Sequence, residues 1–145
     1  IPEFARDYLQ EKWDLKKEVC SKEDLLVIVK EQVNLENKLS SKANKVLLLD
    51  TNIITTVNWS ITHFDGYCDP WIIKQTELLQ YDHYLITNID IPWVKDDLRD
   101  RPNERESMLS SLINHHDIRG LKYSIISGDI DERRSQSIDI IKNLI

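Results

Sequence analysis

The chain has 145 residues, the size of one folded domain, and its 41% hydrophobic and 30% charged content is that of an ordinary globular protein. No apolar run approaches the ~20 residues of a membrane span. A net charge of −6 argues against general nucleic-acid binding, which calls for a basic face.

In chain order, residues 4–13 carry helical apolar spacing at Phe4, Tyr8 and Leu9. Ser21 reads as an N-cap with Asp24 at the capping-box distance. The helix that follows sets Leu25, Ile28, Gln32, Leu35 and Leu39 at three- and four-residue steps, with Val29 and Val33 beside them. Gln32 is the single polar interruption of that stripe. Residues 45–50 form a β-prone run ending in aspartate, and residues 51–64 and 71–79 are helix candidates whose Trp59 and Trp71 suit a core. Residues 83–88 read as a second strand. Residues 103–114 place Met108, Leu109, Leu112 and Ile113 on one helical face. Residues 123–127 read as a third strand, and residues 130–145 as a last helix with Ile138, Ile141, Leu144 and Ile145.

Strands alternating with helices predict an α/β fold, a parallel sheet flanked by helices. Parallel strands are buried on both faces, which accounts for the unbroken run Val46-Leu47-Leu48-Leu49. Ligands in such sheets bind beyond the carboxyl ends of the strands, so Asp50, residues 88–92 and the Gly128-Asp129 turn are expected along one edge. Three strands are fewer than the roughly five or six usual for a sheet. Ile1 is not an initiator methionine, and Met108 is the only methionine. The expectation is a domain truncated at its N-terminus, with about three strands remaining. Lost strands would leave apolar edges exposed and favour a homo-oligomer.

Several groups can carry chemistry. An aspartate at a strand tip followed by threonine, as in Asp50-Thr51, is how a Walker B carboxylate is presented. It either holds Mg²⁺, directly or through water, or caps the next helix. The three glycines, Gly66, Gly120 and Gly128, form no G-x-x-x-x-G-K-[ST] phosphate loop. From Lys95 to Glu106 nine of twelve residues are charged. That run is either a solvated surface or a lid whose Arg99, Arg101 and Arg105 close over an anion, since a guanidinium grips phosphate oxygens in pairs. Glu3 and Arg6 share a helical face, as a surface ion pair or as part of a pocket. Gly128-Asp129 either relieves a strand-to-helix turn or lets backbone approach a flat ring.

The histidines are less telling. His115 and His116 fall at a predicted helix end, where a partly charged imidazole suits the dipole. No zinc spacing and no Ser or Cys nucleophile motif appears. Cys20 and Cys68 have neither C-x-x-C spacing nor the density of a disulfide scaffold, which makes a reducing cytoplasm the default.

Four segments in this order resemble the ribosylnicotinamide kinase domain of NadR-type proteins, among the P-loop kinases and AAA-like NTPases. They are Pro2-Glu3-Phe4-Ala5-Arg6-Asp7-Tyr8-Leu9, Leu49-Asp50-Thr51-Asn52-Ile53-Ile54-Thr55-Thr56, Pro92-Trp93-Val94-Lys95-Asp96-Asp97-Leu98-Arg99 and Gly128-Asp129. The second and third together are the more specific pair.

The resemblance spans essentially the whole chain and implies a P-loop NTPase-like fold whose Walker A strand and loop lie ahead of Pro2. It implies transfer of the ATP γ-phosphate to the 5′-hydroxyl of nicotinamide riboside, with ATP and Mg²⁺ as cofactors, no nucleic acid or membrane partner, and no activity without the loop. Asp50 would orient Mg²⁺, and Arg99 or Arg105 would touch phosphate. Glu3, Arg6, Asn52, Trp93 and Asp97 would serve the nucleoside, with Trp93 and the charged segment as its cover. Gly128 and Asp129 would neighbour the adenine. Family members often read Asp-Thr-Asp where this chain has Asp50-Thr51-Asn52, which bears on the substrate.

Overall fold

The computed structural model describes residues 1–99 and 101–145. The chain divides into two units, one of residues Ile1–Leu79 with the segment that begins at Lys95, the other of residues Gln80–Val94 with Arg101–Ile145.

The first unit is helical. Helix α1 (Phe4–Lys16) carries Asp7 in its first turn, where the dipole favours an acid, and ends on Lys17 in the left-handed conformation, φ 56°. Helix α2 (Lys22–Ser40) opens with the expected capping box between Ser21 and Asp24. Helix α3 (Ile53–His63) is capped by Asn52, whose side chain accepts from the Thr55 N–H at 3.2 Å. Helix α4 (Pro70–Leu78) has Asp69 as its cap and proline in its first turn, where a missing N–H costs nothing.

These helices close on a core of Leu25, Ile28, Val29, Ile53, Val57, Cys68 and Ile72. Phe4, Ala5, Tyr8 and Leu9 of α1 pack against it, as does Trp59. Trp71 is instead 37% exposed, with Lys30 over its ring. Of the α2 stripe, Leu25, Ile28 and Val29 are buried as expected, and so are Gln32 and Glu36.

An ionic knot ties α1 to the start of α2. Asp24 accepts from Lys12 at 2.6 Å, from Tyr8 at 2.9 Å and from the Ser21 N–H at 2.7 Å. Burial raises the Asp24 carboxyl, but the bonds from Lys12, the Ser21 N–H and Tyr8 outweigh it and hold the group below the usual carboxylate range.

In the second unit, β1 (Tyr84–Thr87) and β2 (Tyr123–Ile126) pair in parallel, Tyr84 opposite Tyr123 and Thr87 opposite Ile126. Helix α5 (Arg105–Ile118) is the crossover between them and α6 (Ile130–Lys142) follows β2. Its first turn is held by a capping box between Asp129 and Glu132.

The parallel pair is therefore as expected, but its burial is uneven. Tyr84, Ile86 and Ile126 are buried, whereas Ile125, opposite Ile86, is 44% exposed. The buried residue of α5 is His116, 1% exposed and edge-on to Tyr84 and Tyr123. Its Nδ1 lies 2.8 Å from the Leu112 carbonyl oxygen. His115 is pushed toward its neutral form by burial and by neighbouring Arg119 and His116, so a charged imidazole at this helix end is not favoured there. Helix α6 has no buried residue, and Ile138 is 40% and Ile145 70% exposed.

The expected strand at residues 45–50 is not a strand in the structure. Residues 45–49 are extended without a ladder, and Val46 and Leu48 are exposed. Their backbone is satisfied at one point: the Ile1 amino group donates to the Leu48 carbonyl at 2.5 Å and the Asp50 N–H to the Ile1 carbonyl at 2.8 Å. That is a single parallel bridge between Ile1 and Leu49. One bridge is too short to be a strand, so the described residues hold two strands rather than three.

Candidate functional site

Two polar clusters emerge, one in each unit. In the first, the exposed carboxylate of Asp50 sits at the end of the extended segment. It does not cap α3, because Asn52 does. That removes the plainest non-chemical role for Asp50 and supplies one for Asn52. Asparagine and aspartate cap helices about equally well, so the Asn at position 52 keeps the local structure.

Between the two, Thr51 has φ 67°. A β-branched residue is strained in the left-handed region, and such strain gathers at functional positions. Glu3, just before α1, is half-buried and makes no capping bond. Burial raises its carboxyl first, and the charge of Asp50 raises it further. A crevice beside them is lined by Glu3, Gln32, Thr51, Asn52 and Thr56 over a floor of Ile28, Val29 and Ile53.

Arg6 does not pair directly with Glu3. Its guanidinium reaches Asp96 at 3.2 Å, though its charge does lower the Glu3 carboxyl. Asp96 organises the start of the charged run, accepting from the N–H groups of Leu98 and Arg99 at 3.0 and 2.8 Å. Arg99 lies 3.4 Å from the same carboxylate, and Asp97 accepts from Gln10 at 3.2 Å. Asp96, which sequence reasoning quoted without a role, thus holds both Arg6 and Arg99.

The second cluster lies past the carboxyl ends of β1 and β2, where ligands of parallel sheets bind. Asp90 accepts from the Gly128 N–H at 2.6 Å and pairs with Arg133, whose side chain is 11% exposed. Arg133 also donates to the Gly128 carbonyl at 2.8 Å and the Asn88 carbonyl at 3.1 Å. The Gly128 N–H and Arg133 hold the Asp90 carboxyl below its usual range against the effect of burial. Residues 88–90 and the Gly128 turn are thus brought together as expected.

Gly128 has φ 93°, and a Cβ there would run into the Glu132 carboxylate. Asp129 spends its side chain on the Asp131 and Glu132 N–H groups. Arg105 donates to the Ile89 and Ile91 carbonyls at 2.9 and 2.7 Å, so in this structure it braces the loop after β1. Trp93, near the end of that loop, is half-buried. Arg133 had only a weak signal in sequence: a cation four residues after a helix cap, next to a strand end.

Among the described residues no group of three or more His, Cys, Asp or Glu could hold a metal ion by itself. Mg²⁺ in nucleotide sites is typically held by one or two carboxylates together with phosphate oxygens. The exposed carboxylate of Asp50 suits that kind of site. No described helix is long and apolar enough to cross a membrane.

Parallel strands joined through a helix, with a glycine turn and a half-buried arginine at their carboxyl ends, are compatible with an α/β protein of P-loop NTPase type. The model of a family described as "AAA domain" matches residues 1–133. The chain belongs to that family. No curated protein matches it.

Proposed function

We propose that residues 1–145 are one nucleoside-kinase-like domain that transfers the γ-phosphate of ATP to nicotinamide riboside, giving nicotinamide mononucleotide in the cytoplasm. The observation that carries this reading is Asp50: an exposed carboxylate ending an extended hydrophobic segment, released from capping by Asn52 and electrostatically coupled to Glu3. The motif Leu49-Asp50-Thr51 and membership of the AAA domain family support it.

In this reading Asp50 orients Mg²⁺, which neutralises charge developing on the transferred phosphoryl group. Glu3 and Asn52 stand on the nucleoside side, with Arg6 and Asp97 behind them. The resemblance also assigns Trp93, Arg99 and Arg105 to a substrate cover and Gly128-Asp129 to the adenine. Positioning and charge neutralisation supply nearly all the catalysis of phosphoryl transfer. Exposed Val46 and Leu48, 38% and 58% accessible, support self-association through that edge.

The test is ATP-dependent phosphorylation of nicotinamide riboside by the protein. Turnover is expected, with Asp50→Asn lowering kcat by at least ~10²-fold, the effect of several kcal/mol of lost charge stabilisation. No phosphorylation of nicotinamide riboside, or an unchanged rate in the variant, overturns the reading. Phosphorylation of a different nucleoside keeps the kinase and changes its substrate.

A further inference from the structure

The crevice beside Asp50 contains a polar atom that the fold leaves unsatisfied. Gln32 projects from the apolar stripe of α2 and is 6% exposed. Its Oε1 accepts from the Phe4 N–H at 3.2 Å, which satisfies one open donor of the first turn of α1. Its Nε2 is fully buried and has no hydrogen-bond partner. A buried unpaired amide donor is costly, about 1–3 kcal/mol, so such an atom calls for an explanation.

The neighbours supply one. Gln32 lines the crevice together with Glu3, Thr51, Asn52 and Thr56. The enclosed space is ≈ 10 Å³, room for a single water-sized group. Ile28, Val29 and Ile53 make its floor apolar. Gln32, with its unpaired Nε2 donor, and Glu3, with its carboxylate acceptor, both line this small space. A hydroxyl matches this pair, because it accepts one hydrogen bond and donates another. A water occupies such a site when no ligand is bound, and a ligand hydroxyl displaces it.

We infer that Gln32 and Glu3 form a hydroxyl-reading subsite, in which Gln32 Nε2 donates to, and the Glu3 carboxylate accepts from, one sugar hydroxyl of a ribosyl ligand. The inference rests on the nucleoside reading of the site proposed above and adds to it the residue that discriminates ribosyl from deoxyribosyl ligands. The strained Thr51 and the Asn52 cap hold the wall of the crevice next to Asp50, so the hydroxyl that is read is a neighbour of the one that reacts. Burial and Asp50 both raise the Glu3 carboxyl, so a hydroxyl donating to it favours its ionised form.

The test is calorimetric titration of the protein with nicotinamide riboside and adenosine, each beside its 2′-deoxy and 3′-deoxy analogues. The wild-type protein is expected to bind one deoxy analogue of each pair at least ~10-fold more weakly than its parent, because the analogue leaves a buried donor unpaired. Gln32→Met removes the donor at nearly the same size without burying a charge. It should bring parent and analogue within about twofold, with the melting temperature lowered by loss of the bond from the Phe4 N–H. Glu3→Ala removes the other partner without removing any cap bond, and should reduce the discrimination too if Gln32→Met fails to fold.

Discrimination that survives both substitutions overturns the inference, as does a wild-type protein that binds parent and deoxy analogues equally or binds no riboside. Adenosine discriminated from its deoxy forms while nicotinamide riboside fails to bind overturns the substrate named above and leaves this subsite standing.

Discussion

In the first unit Leu25, Ile28, Val29, Ile53, Val57, Cys68 and Ile72 share one apolar cluster, and the polar groups there are concentrated in the Asp24 knot and the crevice at Glu3. In the second unit the buried apolar residues are few, Tyr84, Ile86 and Ile126 among them. The joints there are polar: Arg133 to Asp90 and to two carbonyls, Asn88 to Ser127 at 3.0 Å, and Gln136 to Ser127 at 2.8 and 3.1 Å. Helix α6 is held to β2 by such bonds while Ile130 is 80% exposed. The difference teaches where each unit is vulnerable. Apolar burial is proportional to area and insensitive to pH. Directional polar joints depend on backbone geometry and on which groups are charged.

The comparison can be broken most forcefully at Ile72, which has no exposed surface. Ile72→Ala is expected to destabilise the protein by about 4 kcal/mol through lost burial and a cavity, read from denaturant midpoints. Loss of amide protection should centre on α2, α3 and α4. A loss under about 1 kcal/mol would mean that this core can collapse around the gap.

Next comes the ionic knot at Asp24 in the first unit. Asp24→Ala strands Lys12 and unpairs Tyr8, at a cost of about 3 kcal/mol. Because the folded-state Asp24 carboxyl lies below its ordinary value, its contribution is present above the unfolded pKa of about 3.9 and disappears as pH falls through the folded value. Lys12 shifts the other way, raised chiefly by its hydrogen bond to Asp24 against burial. Its contribution is present below about pH 10.4 and is lost as pH rises through the folded value. Melting scans across pH should show both limbs in the wild type and neither in Asp24→Ala.

The polar geometry of the second unit is tested at Gly128. Gly128→Ala forces a left-handed alanine against Glu132 and is expected to cost about 2 kcal/mol. Chemical shifts of Asn88, Asp90 and Arg133 should move with it, while the Ile72 environment serves as control. The smallest effect has the opposite sign. Thr51→Gly relieves a strained β-branched residue and should stabilise the protein by about 1 kcal/mol. If that strain aims Asp50, the same variant loses activity in the phosphorylation assay; retained activity would show the strain to be incidental.

Much of this molecule is legible along the chain. The helix starts at Ser21 and Asp129 and the parallel strands at Tyr84 and Tyr123 follow from caps, β-prone runs and turn residues. These are local effects, decided within a few residues. The run from Val46 to Leu49 shows the limit. Its composition predicts a buried strand, but a strand also needs a partner ladder, and here a single bridge to Ile1 is present.

Asp50 and Asn52 show the same limit at the site. Two residues from a helix start, either could cap it. Only the folded backbone, with Thr51 turned to φ 67°, gives the cap to Asn52 and frees Asp50. Gln32 was visible as a polar break in an apolar stripe, yet its meaning came from position. One side of its amide meets the start of α1 and the other meets nothing. The sequence by itself determined the elements, their alternation and the stock of carboxylates and arginines, because those depend on short-range propensity and composition. Only the tertiary structure decided which of them are spent on one another. Hydrogen bonds such as Gln32 to Phe4, Arg6 to Asp96 and Arg133 to Asp90 join residues 28, 90 and 43 positions apart, beyond the reach of any local pattern.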